Sequence, residues 1–235
     1  MIERRSLFVQ RVFADVPATY EQINHILTLG LDRLWRRRAA RVAAAGGGVQ
    51  WADLCTGTGE TAVCLTHLAP PGTEIYAVDF SLPMLEEARR KSEAVHIAFV
   101  TSDIGALPFP GESLDLITMS FATRNINLSK SILVQRIAEF YRVLKPGGRF
   151  VNLETSQPSW LTIRRLRDLY VRLFVESVGS RISGSRAAYA YLAKTIPRFY
   201  AAEELVEIIR EAGFEEAILQ RFLLGVVAIH QGIKR

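Results

Sequence analysis

The sequence predicts an α/β protein built on a doubly wound, mostly parallel sheet, and three observations carry that expectation. Short apolar β-type runs alternate with helical periodicity across residues 49–154. The first run enters a glycine-rich turn, Gly57-Thr58-Gly59, that opens directly into a helical pattern. The fourth run, "LDLITMSF" at residues 114–121, is almost wholly apolar, as a strand buried on both faces should be.

Taken in order, residues 1–45 read as a helical cap, joined by the small flexible tract "AAAGGG" (43–48) to a core spanning 46–156. Residues 49–55 read as a strand, 60–68 as a helix, and 74–80 as a second strand. Ser81 is placed to cap the next helix, with Pro83 in its first turn and "LPMLEEARRKSE" as its body. "VHIAFV" is a third strand, "SILVQRIAEFYRVLK" a helix ended by Pro146-Gly147-Gly148, and "RFVNLE" a fifth strand. Residues 157–199 form a helical lid insertion, with Trp160, Ile163, Leu166, Tyr170, Leu173 and Phe174 at helical spacing and Arg165, Asp168 and Arg172 on another side. Residues 200–235 supply a last helix, closed by Gly213, and an antiparallel hairpin at a sheet edge. All 235 residues are thus expected in one domain.

Composition narrows the function. No run approaches the ~20 apolar residues of a membrane helix, and the N-terminus lacks an export signal, so a cytoplasmic protein is expected. Cys55 and Cys64 lack metal-ligand spacing and read as reduced core residues, with no metal expected. The net charge of +5 is uneven: residues 157–199 carry eight basic and two acidic side chains, whereas the glycine-turn segment is mildly acidic. That is not a nucleic-acid footprint. The basic, apolar lid insertion fits three settings: an anionic membrane surface at the inner face of the membrane, packing on the sheet, or a homodimer contact.

Gly57 to Ala62 formally fits a dinucleotide fingerprint, but Asp53, four residues earlier, argues against a pyrophosphate and for a ligand with a cationic ammonium. S-adenosylmethionine is such a ligand. Asp79, followed by Phe80, ends the second strand where ribose hydroxyls would lie. Asp103 suits an adenine amino group while Ile104 packs on the ring, and Ser120 ends the fourth strand at the cleft. Gly57, Thr58 and Gly59 would hold the ligand through the backbone.

Several stretches resemble one family. "RVLKPGGRFVNLETS" (142–156), "SFATRNI" (120–126), "YAYLAKTIPRFYAAEELVEIIREAGF", "GVVAIHQGIK" and "TYEQINHILTLGLDRLWRR" (19–37) are similar to the menaquinone/ubiquinone biosynthesis C-methyltransferases, within the Rossmann-like class I methyltransferases. Ala122 stands where glycine is usual, Glu21 where aspartate is usual, and Ile23 and Thr28 replace methionine and serine. The resemblance implies methyl transfer from S-adenosylmethionine to a ring carbon of a prenylated quinol, demethylmenaquinol first, with a ubiquinone precursor or another small-molecule or lipid acceptor as the alternative. Its match falls on Arg124 and Asn125, which are candidates for the acceptor, Arg124 alternatively pairing with an acid to tie down the lid; Tyr20 is a third candidate, for an acceptor hydroxyl or as a core tyrosine. Among the histidines, only His25 lies in the cap; His67, His96 and His230 read as structural.

Overall fold

The computed structural model describes the backbone of residues 17–175 and 186–235, and side chains of residues 21–175 and 190–235. Two helices, α1 (Pro17–Thr28) and α2 (Leu31–Ala44), lead into β1 (Gln50–Leu54) and α3 (Glu60–Thr66). They are followed by β2 (Glu74–Asp79), α4 (Leu82–Ala88), β3 (Ala98–Thr101), β4 (Leu114–Ser120), the short α5 (Thr123–Ile126), α6 (Lys130–Val143) and β5 (Leu144–Thr155). The remainder comprises α7 (Leu161–Tyr170), α8 (Arg186–Thr195), α9 (Ala202–Glu211), β6 (Glu216–Phe222) and β7 (Val227–Ile233).

Seven strands form one sheet in the order β3-β2-β1-β4-β5-β7-β6. Strands β1 to β5 pair in parallel, and β7 runs antiparallel between β5 and β6. The expected hairpin therefore exists, but only β6 is the edge. The order reverses at β1–β4, so the loops after those strands open a crevice at their carboxyl ends. One core cluster on Leu54, Ile117, Leu133, Ile137, Phe140, Phe150 and Phe214 fills the α6/α9 side. A second cluster, where Ala39, Ala40 and Ala43 of α2 meet Trp51, Leu65, Leu116 and Val151, fills the other. The alanines let α2 lie close to the strands, so the cap helix is part of the α/β layer rather than a loosely joined piece.

Several local expectations are corrected. The chain leaving the glycine tract is anchored, because the Asp115 carboxylate accepts from the backbone N–H of Val49 and Gln50 at 2.9 Å each. Ser81 occupies the cap position without a capping bond from its hydroxyl; its backbone N–H donates to Asp79 instead. A 3-10 turn over Ser92–His96 delays β3 to Ala98. Strand β5 begins at Leu144, before the glycines, with a register shift opposite Leu114 and Leu116. Gly147 adopts φ +79° and donates to the Lys234 carbonyl at 2.7 Å, so the Pro-Gly-Gly stretch joins the sheet as an irregularity rather than a turn.

In the lid, much of the apolar stripe stays off the sheet. Arg167 faces inward, 7% exposed, donating to the Ser156 carbonyl at 2.9 Å and to Gln157 Oε1 at 2.6 Å, while Trp160, Leu166, Leu173 and Phe174 stay exposed. Val171 and Val175 bury with Ile23, Met84 and Leu192, tying the lid to the cap and α4.

Candidate active site

The turn after β1 is tight because of its glycines. Gly57 has φ +56° with nothing within 4 Å of where a Cβ would stand, so its backbone opens onto the cleft. Gly59 has φ +80°, and a Cβ there would come to 3.0 Å from the Ala88 Cβ, so it serves helix packing. Asp79 accepts from the N–H of Gly57 at 2.8 Å and of Ser81 at 2.9 Å. Burial raises its pKa, and these backbone bonds work against that shift. The N–H a pyrophosphate would need is thereby engaged by a carboxylate.

Asp79, Phe80, Asp103, Ile104, Ser120, Gly57 and Thr58 all line this cleft, together with Arg36, Cys55, Glu60, Phe121, Asn125 and Arg136. Asp53 and Gly59 do not line it. Asp53 is 1% exposed, its two oxygens accepting from Thr56 Oγ1 at 2.6 Å and Thr118 Oγ1 at 2.7 Å. Burial pushes its pKa up to about 6 against the pull of those hydroxyls. The expected contact between Asp53 and a ligand ammonium is corrected: the carboxylate braces the turn from below. Both loops at the crevice carry a non-glycine residue in left-handed backbone, Cys55 (φ +51°) after β1 and Phe121 (φ +58°) after β4. The Cys55 thiol is pushed well up by burial and then by the Asp79 and Asp53 charges, which leaves it protonated.

A second hollow of about 590 Å³ lies under the lid, and its walls are mainly apolar: Leu27, Trp35, Tyr170, Val171, Leu192 and Ile196 among them. Its rim includes Leu29, Leu166, Leu223 and Leu224, all exposed. Arg124 enters this hollow, 6% exposed. Its Nη1 lies 3.2 Å from Glu154 Oε1 and 3.1 Å from Thr155 Oγ1, and its buried Nε has no partner. Asn125 faces the cleft with a buried, unpartnered Oδ1. Neighbours in sequence thus face different hollows, because α5 turns between them. Arg36 and Phe121 border both hollows, the guanidinium 5.2 Å from the ring centroid.

The ubiE/COQ5 methyltransferase family model matches residues 1–234. The chain belongs to this family. It is 36% identical over 226 residues to the "Ubiquinone/menaquinone biosynthesis C-methyltransferase UbiE" of Desulfotalea psychrophila, covering 96% of this chain and 90% of that one. It is 37% identical over 223 residues to the "Demethylmenaquinone methyltransferase" of Thermus thermophilus, covering 94% and 99%. Among solved structures, a SAM-dependent methyltransferase of Thermotoga maritima shares the fold at TM-score 0.61 and 19% identity, covering 97% of this chain and all of that one.

For a methyltransferase, the remaining candidates sort by position. Tyr20 lies in α1, and its side chain falls outside the described residues. His25 sits at the cap with Nδ1 at 2.6 Å from the buried Asp32 Oδ2, and Nε2 accepts from Arg33 Nε at 2.6 Å. Glu21, His25 and Glu60 cluster closely enough to share a cation, yet Lys91, Arg33 and Arg36 already neutralise the two glutamates. His67 is exposed and His96 lies in the turn before β3. His230 is buried on β7, with Nε2 at 3.1 Å from the Ala202 carbonyl oxygen, and burial lowers its pKa to about 4. Sequence reading missed Arg36 and Glu60 altogether: Arg36 is one of three consecutive arginines, and only the tertiary fold selects it.

Proposed function

We propose that this methyltransferase uses S-adenosylmethionine to methylate a ring carbon of a prenylated quinol, demethylmenaquinol first. The observation that carries the reading is a cleft bearing the carboxylates Glu60, Asp79 and Asp103 and a 590 Å³ mainly apolar hollow that meet at Arg36 and Phe121. The cleft fits the donor: open backbone at Gly57, carboxylates at Asp79 and Asp103, and an apolar partner in Ile104. The hollow is of a size that takes a ring with the start of its tail. The names of the relatives favour a quinone acceptor.

The bound donor supplies a methyl group already activated by its sulfonium. The protein's tasks are alignment, exclusion of water and charge stabilisation. Arg124 lines the hollow, and its charge, held in place by Glu154, would favour the phenolate, the nucleophilic form of the ring. The new carbon–carbon bond would form as the sulfonium carbon–sulfur bond breaks, and since arginine does not deprotonate, the proton that the ring carbon then gives up to regain aromaticity would pass to water. Asn125, on the cleft side, orients the donor or that water. The exposed leucine rim, beside Arg164, Arg165 and Arg172 on the lid, suits loading of a tailed acceptor from an anionic bilayer surface.

The test is methyl transfer from labelled S-adenosylmethionine to demethylmenaquinol and to a demethylated ubiquinol precursor. Removing Arg124 alone would strand Glu154, which is fully buried. The variant is therefore Arg124→Gln with Glu154→Gln, which keeps the pair neutral. Transfer should fall by about 10²–10³ while donor affinity holds. Donor binding with transfer to neither quinol would defeat the acceptor assignment.

A further inference from the structure

The donor proposed above carries a zwitterionic amino-acid end, and Asp53, the residue expected to meet it, is sealed beneath the turn. The cleft offers another partner. Glu60 opens α3 directly after Gly59, and Arg36 reaches it from α2, with Nη2 at 3.3 Å from Glu60 Oε2. Both side chains line the cleft, and both are nearly buried, at 7% and 9% exposure. Arg36 is held in place by a bond from Nη1 to Thr61 Oγ1 at 3.1 Å and by its packing on Phe121. Glu60 is flanked on its other oxygen by His25 Nε2 at 3.7 Å.

We propose that the Arg36–Glu60 pair is the site that reads the amino-acid end of the donor, Arg36 taking the carboxylate and Glu60 the ammonium. A fixed cation beside a fixed anion matches a zwitterion laid antiparallel to it, and charge-assisted bonds of this kind are the strong ones. Of the other charged groups on the walls, Asp79 and Asp103 are carboxylates, which repel a carboxylate ligand. The other cation on the wall, Arg136, comes from α6 and gives its Nη1 to the Ile126 carbonyl at 2.7 Å. Arg36 also borders the hollow proposed for the acceptor, so the head it grips stands beside the place where the two hollows meet. This assignment rests on the donor reading.

Ligand truncation separates the two. Calorimetric titration would compare S-adenosylmethionine and S-adenosylhomocysteine with 5′-methylthioadenosine, which keeps the nucleoside and lacks the amino-acid end. Arg36→Met should weaken the first two about 10- to 100-fold and leave the third unchanged. Glu60→Gln should act in the same direction, Arg36→Lys should lose less, and Asp53→Asn should not discriminate. Equal loss of all three ligands in a folded Arg36→Met protein, or loss of none, would overturn the pair's role. So would a discriminating effect in Arg136→Met with none in Arg36→Met. Thermal melts check each fold, and if Arg36→Met does not fold, Arg36→Lys and Glu60→Gln decide. A wild type that binds none of the three ligands refutes the donor reading itself, a result distinct from any pattern among the variants.

Discussion

Gly57 and Gly59 stand two residues apart, and the space around them separates a ligand role from a packing role. Gly57→Ala meets no atom and should cost about 1–2 kcal/mol of stability through its positive φ alone. Its methyl group would nevertheless project from backbone that opens on the cleft, so donor affinity should fall by more than stability. Gly59→Ala presses on Ala88 at 3.0 Å as well as straining its positive φ and should cost about 2–3 kcal/mol, with donor binding lost only in step with the fold. Melting curves run beside donor titrations distinguish the two outcomes. The glycines, Asp79 and Asp103 were legible because each ends or follows a run of clear periodicity. Asp53 was misread for a reason of register. It lies level with Thr118 on the neighbouring parallel strand, whose hydroxyl takes the carboxylate, and one strand's spacing does not show what stands beside it.

At the scale of elements, alternation gave the first five strands and most helices within a few residues, since each buries a face that period alone reveals. The lid resisted the same logic. Helical spacing marks an apolar stripe there and leaves its setting open, and the fold buries Arg167, because backbone and side-chain acceptors satisfy it, and leaves much of the stripe outside. The turn between β6 and β7 adds Leu223 and Leu224 to the rim, both exposed and both in left-handed backbone (φ +47° and +55°). Asparagine suits that backbone better than leucine. Leu223→Asn with Leu224→Asn should therefore fold at least as well as the wild type and still bind the donor. It should co-sediment more weakly with anionic vesicles if this rim loads the acceptor from a bilayer. Sedimentation equal to wild type, or the same for neutral and anionic lipid, would remove the membrane from the account.

Over the whole molecule, two buried groups tilt the pH dependence of stability in opposite directions. His230 is held neutral with its pKa lowered to about 4, so its contribution is complete above about 6.5 and is lost as pH falls toward 4. Asp53 is raised to about 6, so its contribution is complete at low pH and is lost as pH rises from 3.8 toward 6. Each amounts to roughly 3 kcal/mol over nearly the same window, so in the wild type they offset one another. Relative to wild type, Asp53→Asn should gain stability as pH rises through that window, and His230→Gln should gain as it falls; denaturant melts at pH 4 and pH 6.5 test both signs. One feature of the site reaches further. Arg36 and Phe121 belong to the walls of both hollows, so a donor in the cleft and an acceptor in the hollow, as proposed, would not bind as strangers. Any factor by which a bound donor tightens the grip on the acceptor must be returned, equal in size, by the acceptor to the donor, and a residue common to both walls thereby becomes a coupling between two binding equilibria.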